Sequence, residues 1–237
     1  MMEQTFRNKK LEIGNIPAIL YGEPSDNLYL FLHGQGGNKE EAAMFAEIAS
    51  PAGWQVLGID LPGHGERNDG DNFVPWAVVP ELHQILTYVR SKFKRIALRA
   101  NSIGAWFGML AFADEPLVQA LFVSPVLNME LLIQNMMQWA GVTKEQLEKR
   151  KVIPTDFRQT LSWDYLTWVQ EHPITHWIHP TSILYAGQDN LTQRDVVDAF
   201  ILRFGSELTV MEDGEHWFHT AEQLEMLELW TRNSLLK

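Results

Sequence analysis

The sequence contains no cysteine, which excludes disulfide staples and thiolate metal sites and fits a reducing cytoplasm. It has no apolar run long enough to span a bilayer. Met1 to Lys10 is polar and charged and lacks the apolar centre of a signal peptide. Positive charge is scarce. Nineteen Lys and Arg stand against 30 Asp and Glu, for a net charge of -11, which disfavours nucleic acid and anionic membrane as partners. Low-complexity linkers and internal repeats are also missing. These absences fit a cytoplasmic protein without requiring one, and the expectation from charge is no nucleic-acid partner and no membrane partner. They say nothing about its oligomeric state.

What is present is ordinary in bulk and specific in order. The chain has 237 residues, 46% of them hydrophobic, with nine Trp and twelve Phe, enough for a substantial core. Phe6 to Tyr21 reads as two short strands around a turn at Gly14-Asn15. Further strands are expected at Asn27–Leu32, Gln55–Ile59, Ile96–Leu98, Ala120–Val123, Ile183–Ala186 and Leu208–Met211. Helices fall between them. One is capped by Asn38, with Glu41 placed to complete a capping box. Another carries the stripe Leu82, Ile85, Leu86, Val89 and Phe93. Others span Ile103–Ala113 and Asp195–Phe204, and a last one starts near Thr220 with Leu224, Leu227 and Trp230 on one face. Strands that alternate with helices and read as continuous apolar runs imply an α/β fold: a mostly parallel sheet of about eight strands, covered on both sides.

Residues 126–175 interrupt this rhythm. They are rich in Met, Gln and Trp, with helices expected at Met129–Ala140 and Thr143–Arg150 and a further segment from Asp156 to Gln170. An insertion at the carboxyl ends of the strands is most simply a helical cap over a pocket, dividing the chain into a core (1–125 and 176–237) and a cap (126–175). Extra packing on a sheet edge is the plainer alternative.

The segment Ala100-Asn101-Ser102-Ile103-Gly104 joins a strand to an apolar helix. A serine on such a sharp turn projects its hydroxyl clear of the sheet, beside the unpaired N–H groups of the helix start. Alone the pentapeptide is weak, because a helix merely capped by Asn101 or Ser102 would read the same way. A serine needs a base, and the base needs an orienting acid. Asp189, in Gly187-Gln188-Asp189-Asn190, and His216, in Gly214-Glu215-His216-Trp217, both follow later strands. Asp189 could instead cap the next helix, Glu130 is the reserve acid, and His219 is the weaker candidate base because it sits at the final helix start. The loop His33-Gly34-Gln35-Gly36-Gly37 offers Gln35 as one backbone N–H donor to a developing oxyanion, with Ile103 as the other. Such a donor contributes about 2.7–4 kcal/mol to lowering a barrier.

These residues together resemble the α/β-hydrolase superfamily over nearly the whole chain outside the insertion. The order Ser102, Asp189, His216 matches the family's serine, acid, histidine order. The His33-Gly34 loop and the turn Asp60-Leu61-Pro62-Gly63-His64-Gly65 are similar to its early strand-end loops. That likeness implies that Asp60 and His64 are structural or line the pocket. Ala100 departs from the family's usual first glycine, though it too is small. Arg99, a charge within an apolar strand, is expected to pair with an acid that the sequence does not identify.

The resemblance implies a serine hydrolase of a small or medium uncharged carboxylic ester or related acyl compound, working without a cofactor. Peptidase, thioesterase and carbon–carbon hydrolase chemistry use the same machinery, as do some lyases and acyltransferases. A non-catalytic binding protein on the same scaffold is the rival from another class. His33, Trp139, Trp163, Trp168 and Trp217 are candidate pocket residues, and Trp177 is another aromatic of this region; packing within the insertion is the competing role for its tryptophans. No metal site is expected: His172, His176 and His179 have ligand-like spacing, but Pro173 and Pro180 prevent one continuous helix.

Overall fold

In the computed structural model, which describes residues 7–157 and 159–236, three strands open the chain and strands then alternate with helices, apart from residues 126–175, which add one strand pair. The strands are β1 (Asn8–Ile13), β2 (Ile16–Tyr21), β3 (Asn27–Leu32), β4 (Gln55–Ile59), β5 (Arg95–Asn101), β6 (Ala120–Val123), β7 (Val152–Pro154), β8 (Thr160–Ser162), β9 (Thr181–Ala186) and β10 (Glu207–Met211). The α-helices are α1 (Ala42–Ala49), α2 (Pro75–Arg90), α3 (Ile103–Phe112), α4 (Met129–Trp139), α5 (Lys144–Arg150), α6 (Trp163–Glu171), α7 (Arg194–Phe204) and α8 (Ala221–Ser234). Phe6, where the sequence reading begins the first strand, lies outside the described residues.

Eight strands form one sheet in the order β1-β2-β4-β3-β5-β6-β9-β10. From β4 to β10 every neighbouring pair is parallel, whereas β1 and β2 join antiparallel at one edge. The alternation inside each apolar run explains the layers. Leu28, Leu30 and Leu32 pack with α2 and α3 on one face, and Tyr29 and Phe31 pack with α1 and α8 on the other. Of the α2 stripe, Leu82, Ile85, Leu86 and Val89 are buried, while Phe93 lies past the helix end and is only partly covered. On α8 Gln223, Trp230 and Thr231 are buried, while Leu224 and Leu227 are both half-buried.

The strand order reverses at β3, because the chain leaves β3 for β4 on one side and returns to β5 on the other. Ligands of open α/β sheets sit beyond the carboxyl ends at such a point. The loop after β3 and the turn after β5 therefore face each other across the expected crevice.

The stretch between β6 and β9 holds α4, α5 and α6 and also a short antiparallel pair, β7 with β8, that the sequence does not announce. The Asn38 cap is likewise modified. Its side chain accepts from the Glu40 N–H and opens a single 3₁₀ turn, Lys39–Glu41, before α1. Glu41 supplies its half of the expected box by accepting from the Asn38 N–H.

Candidate active site

Ser102 occupies the turn between β5 and α3 with φ 49° and ψ −123°. A β-carbon in this region is strained by about 1–3 kcal/mol, and such strain persists only where the surroundings enforce it. Here they do. The Ser102 N–H bonds to the Val123 carbonyl at 3.0 Å, and the Ser102 carbonyl accepts from Ala105 and Val126 at 3.1 Å each. Gly104 lets the helix start settle on β3, since a β-carbon there would stand 2.5 Å from the His33 carbonyl oxygen. The serine hydroxyl is thereby turned out of the strand.

His216, in the loop after β10, places Nε2 2.8 Å from Ser102 Oγ. Its Nδ1 lies 2.7 Å from Asp189 Oδ2, in the loop after β9. A neutral imidazole that donates from Nδ1 to the carboxylate presents Nε2 as an acceptor to the serine. The Asp189 side chain is 0% exposed and that of His216 17%, so the acid is shielded while the base edge stays accessible. The second oxygen, Asp189 Oδ1, accepts from the N–H groups of Leu191 at 2.8 Å and Thr192 at 3.0 Å. The competing role foreseen for Asp189, capping a helix, is corrected: α7 begins later and is preceded by Gln193 at its cap position. Glu130, the reserve acid, is engaged by Gln134 and Gln170 instead.

The loop after β3 closes on this centre. Gly34 packs against the serine, where an added β-carbon would stand 3.2 Å from Ser102 Cβ. A turn follows, with the Gly37 N–H bonded to the Gly34 carbonyl at 3.2 Å, and Gln35 is its second residue. Ile103 opens α3, so its N–H is among those without an intrahelical partner. These two amides are the candidate oxyanion donors.

The sequence profile of the alpha/beta hydrolase family matches residues 29–228, a span that holds all of these groups. The chain belongs to the alpha/beta hydrolase family. It is a hydrolase by that membership. At the level of sequence, none of the curated proteins matches this chain. Solved structures resemble it over almost its full length. Est1E from Butyrivibrio proteoclasticus with ferulic acid bound shares 17% identity at a TM-score of 0.76, covering 95% of this chain and 96% of Est1E. Alpha/beta hydrolase domain-containing protein 10 from mouse shares 12% at 0.78, covering 96% and 97%. An esterase from Pyrococcus furiosus shares 16% at 0.68, covering 96% and 87%. At these identities the likeness is one of fold.

Other residues of this hydrolase singled out from sequence sit differently from their expected roles. His33 is fully buried and does not line a pocket. Its Nδ1 donates to the Gly34 carbonyl at 2.7 Å, and its Nε2 accepts from the Leu61 N–H at 3.1 Å. Burial, reinforced by His64 and Lys39, pushes its pKa down to about 4 against the opposing pull of the Gly34 carbonyl and Asp60. His33 is thus a neutral strut between two strand-end loops.

Arg99 finds no acid partner: among the described residues no carboxylate reaches ion-pair distance. Its Nη1 donates to Asn101 Oδ1 at 2.6 Å and to the Ala100 carbonyl at 3.2 Å. The rings of Phe31, Phe45 and Trp230 surround it at 5.7–5.8 Å. Burial lowers its pKa, and the more distant Glu41 opposes that shift.

The candidate pocket tryptophans also separate. Trp168 packs on His172 at 4.0 Å and on Trp106 at 6.2 Å. Trp163 lies under Lys144 and Lys151. Trp139 is half-exposed beside Phe157, and Trp177 is buried against Phe122. Trp217, next to His216, is 73% exposed and stacked on His219. None of Trp139, Trp163, Trp168, Trp177 and Trp217 lines either of two cavities near the strand ends and the insertion. One, of about 430 Å³, is bounded by Gln35, Pro62, His64 and Phe73. The other, of about 370 Å³, is bounded by Trp106, Leu127, Met129, Val169, Phe200 and Phe204.

The three spaced histidines diverge. His172 bonds to the Trp168 carbonyl, His176 approaches Asp114, and His179 bonds to the Phe112 carbonyl. Two features escaped the sequence reading. Lys39 is buried on Asp60, with Nζ 2.7 Å from Oδ2. Gln159, just before β8, links to Gln35 at 3.2 Å. A lysine among glutamates at a helix start reads as solvated, and a lone glutamine carries no signal.

Proposed function

We propose that this chain is a serine hydrolase of a small or medium uncharged carboxylic ester or a related acyl compound. The observation that carries the reading is the continuous relay from Ser102 Oγ to His216 at 2.8 Å and from His216 to Asp189 at 2.7 Å, on a serine held at positive φ. His216 Nε2 takes the hydroxyl proton as Ser102 Oγ bonds to the acyl carbon, and the carbonyl electron pair moves onto oxygen. The N–H groups of Gln35 and Ile103 hold that oxyanion. Asp189 keeps the imidazole in the right tautomer and stabilises the imidazolium. The intermediate collapses, the leaving oxygen takes the proton from Nε2, and the alcohol departs. Water then gives its proton to the same nitrogen and attacks the acyl-enzyme. The acid leaves, and Ser102 recovers its proton.

The reading includes residues 126–175 as a cap that sets acyl specificity, no cofactor, and a cytoplasmic location. The Gln35–Gln159 contact supports the cap assignment, because it joins the insertion to the loop beside Ser102. Labelling with a fluorophosphonate probe tests the chemistry. Wild type is expected to carry one adduct that Ser102→Ala loses, and equal labelling of the two would refute the assignment. A panel of esters and thioesters of graded acyl length then ranks substrates.

A further inference from the structure

The mechanism uses one oxygen of Asp189 and leaves open what holds the other. Oδ1 is gripped by Leu191 and Thr192, and Thr192 does more than donate its N–H. Its Oγ1 donates to the Pro125 carbonyl at 2.9 Å, and its own carbonyl accepts from the Tyr185 hydroxyl at 3.0 Å. Every polar group of this buried residue is therefore committed. Pro125 follows Ser124, which turns the chain out of β6 at φ 42°, and the next residue, Val126, bonds to the Ser102 carbonyl at 3.1 Å. A path of short bonds thus runs from the Asp189 carboxylate through Thr192 and residues 125–126 to the serine, without passing through His216.

We propose that Thr192 is a positioning residue that fixes the acid relative to the nucleophile, so that the imidazole meets both at hydrogen-bond distance. This rests on the triad reading above. Asp189 hangs on a loop after β9 and Ser102 on a turn after β5, with β6 between them in the sheet. Shifts of about 1 Å between reacting groups cost up to about 100-fold in rate, so two separately anchored loops need a tie. Thr192 supplies it at the β6 end. The charged groups around this hub do not replace it. On α7, Arg194 pairs with Asp198, and Asp195 bonds to the Val196 N–H. In the loop after β10, Glu215 faces His219.

Thr192→Val keeps the N–H and the carbonyl and removes only the tie to Pro125, while Thr192→Ser restores it. With p-nitrophenyl butyrate as substrate, Thr192→Val is expected to lower kcat about 10-fold with KM within about twofold. A carboxylate that drifts from Nδ1–H stabilises the imidazolium less, so the acid limb of kcat/KM should move to lower pH by about half a unit. Thr192→Ser should match wild type in both. A Thr192→Val enzyme that melts earlier but keeps the wild-type limb would mean a merely structural threonine and would overturn the proposal. Should that variant not fold, Tyr185→Phe loosens the same residue from its carbonyl side and should move the limb in the same direction; an unmoved limb again overturns it. Asp189→Asn is run alongside. Near-wild-type activity there removes the triad reading and this inference together, whereas a large loss there with an unmoved Thr192→Val limb removes this inference alone.

Discussion

Asp60 and Asp189 make a controlled comparison within one molecule. Each follows a parallel strand at its carboxyl end, each side chain is 0% exposed, and each accepts two backbone N–H groups and one side-chain partner. The difference is the third partner. Asp60 faces the Lys39 ammonium at 2.7 Å, whereas Asp189 faces the imidazole of His216 at the same distance. A permanent cation cancels the Asp60 charge at all times, so that pair clamps the loop after β3 to the turn after β4. In the proposed mechanism the charge of Asp189 is met only by N–H dipoles until His216 takes a proton. A buried acid can assist proton transfer only when its countercharge appears during the reaction.

The sharpest way to break this comparison is to neutralise each acid in turn. Asp189→Asn is expected to cut kcat by about 10⁴-fold, because the amide favours the wrong imidazole tautomer, and to leave Tm nearly unchanged. Asp60→Asn should do the reverse. It takes the buried partner from the Lys39 ammonium, which keeps Glu40 at 3.2 Å and Glu66 at 3.1 Å, at a cost of about 2 kcal/mol, a fall in Tm of about 4–8 °C for a chain of this size, with kcat falling far less than in Asp189→Asn. Steady-state kinetics and calorimetry on both variants read the crossing directly, and parallel behaviour of the two acids would erase the distinction.

Next in size is the loop after β3, the proposed oxyanion loop, which the Asp60 clamp supports. Gln35 is the second residue of its turn, a position that favours proline. Gln35→Pro deletes the N–H while suiting the turn, and kcat should drop by about 10²–10³-fold with the fold intact by circular dichroism.

The most gradual effects appear in the pH dependence of stability. Burial raises the Asp60 pKa, but its hydrogen bonds from Glu66 and Lys39 outweigh burial and hold it below the usual carboxylate range. Its stabilisation is therefore complete above about pH 4 and is lost as pH falls through the depressed value. His33, at about 4 when folded against roughly 6.5 when unfolded, acts in a higher window. Its contribution is complete above about pH 6.5 and declines by up to about 3 kcal/mol as pH falls toward 4. Tm recorded from pH 8 to 3 should show both declines. Asp60→Asn should lose the lower one and keep the upper.

How much of this was written in the sequence varies by element. The bounds of β4 and β6 coincide with the apolar runs Gln55–Ile59 and Ala120–Val123, because strands covered on both faces are apolar at successive positions. The β7–β8 pair was not legible. Each strand has three residues and one buried side chain, Ile153 or Leu161, too few to show a period. The same contrast holds at the site. Strand ends place Ser102, Asp189 and His216 on one rim, and topology alone carries that far. What His33 and Trp168 touch depends on how loops and α6 dock, which propensity and spacing do not encode. Arg99 shows the limit most plainly. An unpaired charge in an apolar strand looks like half of an ion pair, yet three aromatic rings and a neighbouring amide take the place of the acid.

The central claim is that Ser102 carries the acyl group between two half-reactions. Quenched-flow mass spectrometry with p-nitrophenyl butyrate tests it at the atom concerned. A transient butyryl adduct is expected on the peptide containing Ser102, formed at the rate of p-nitrophenol release and decaying with butyrate formation. Continued ester hydrolysis with no adduct, or with the butyryl group on another residue, would contradict it.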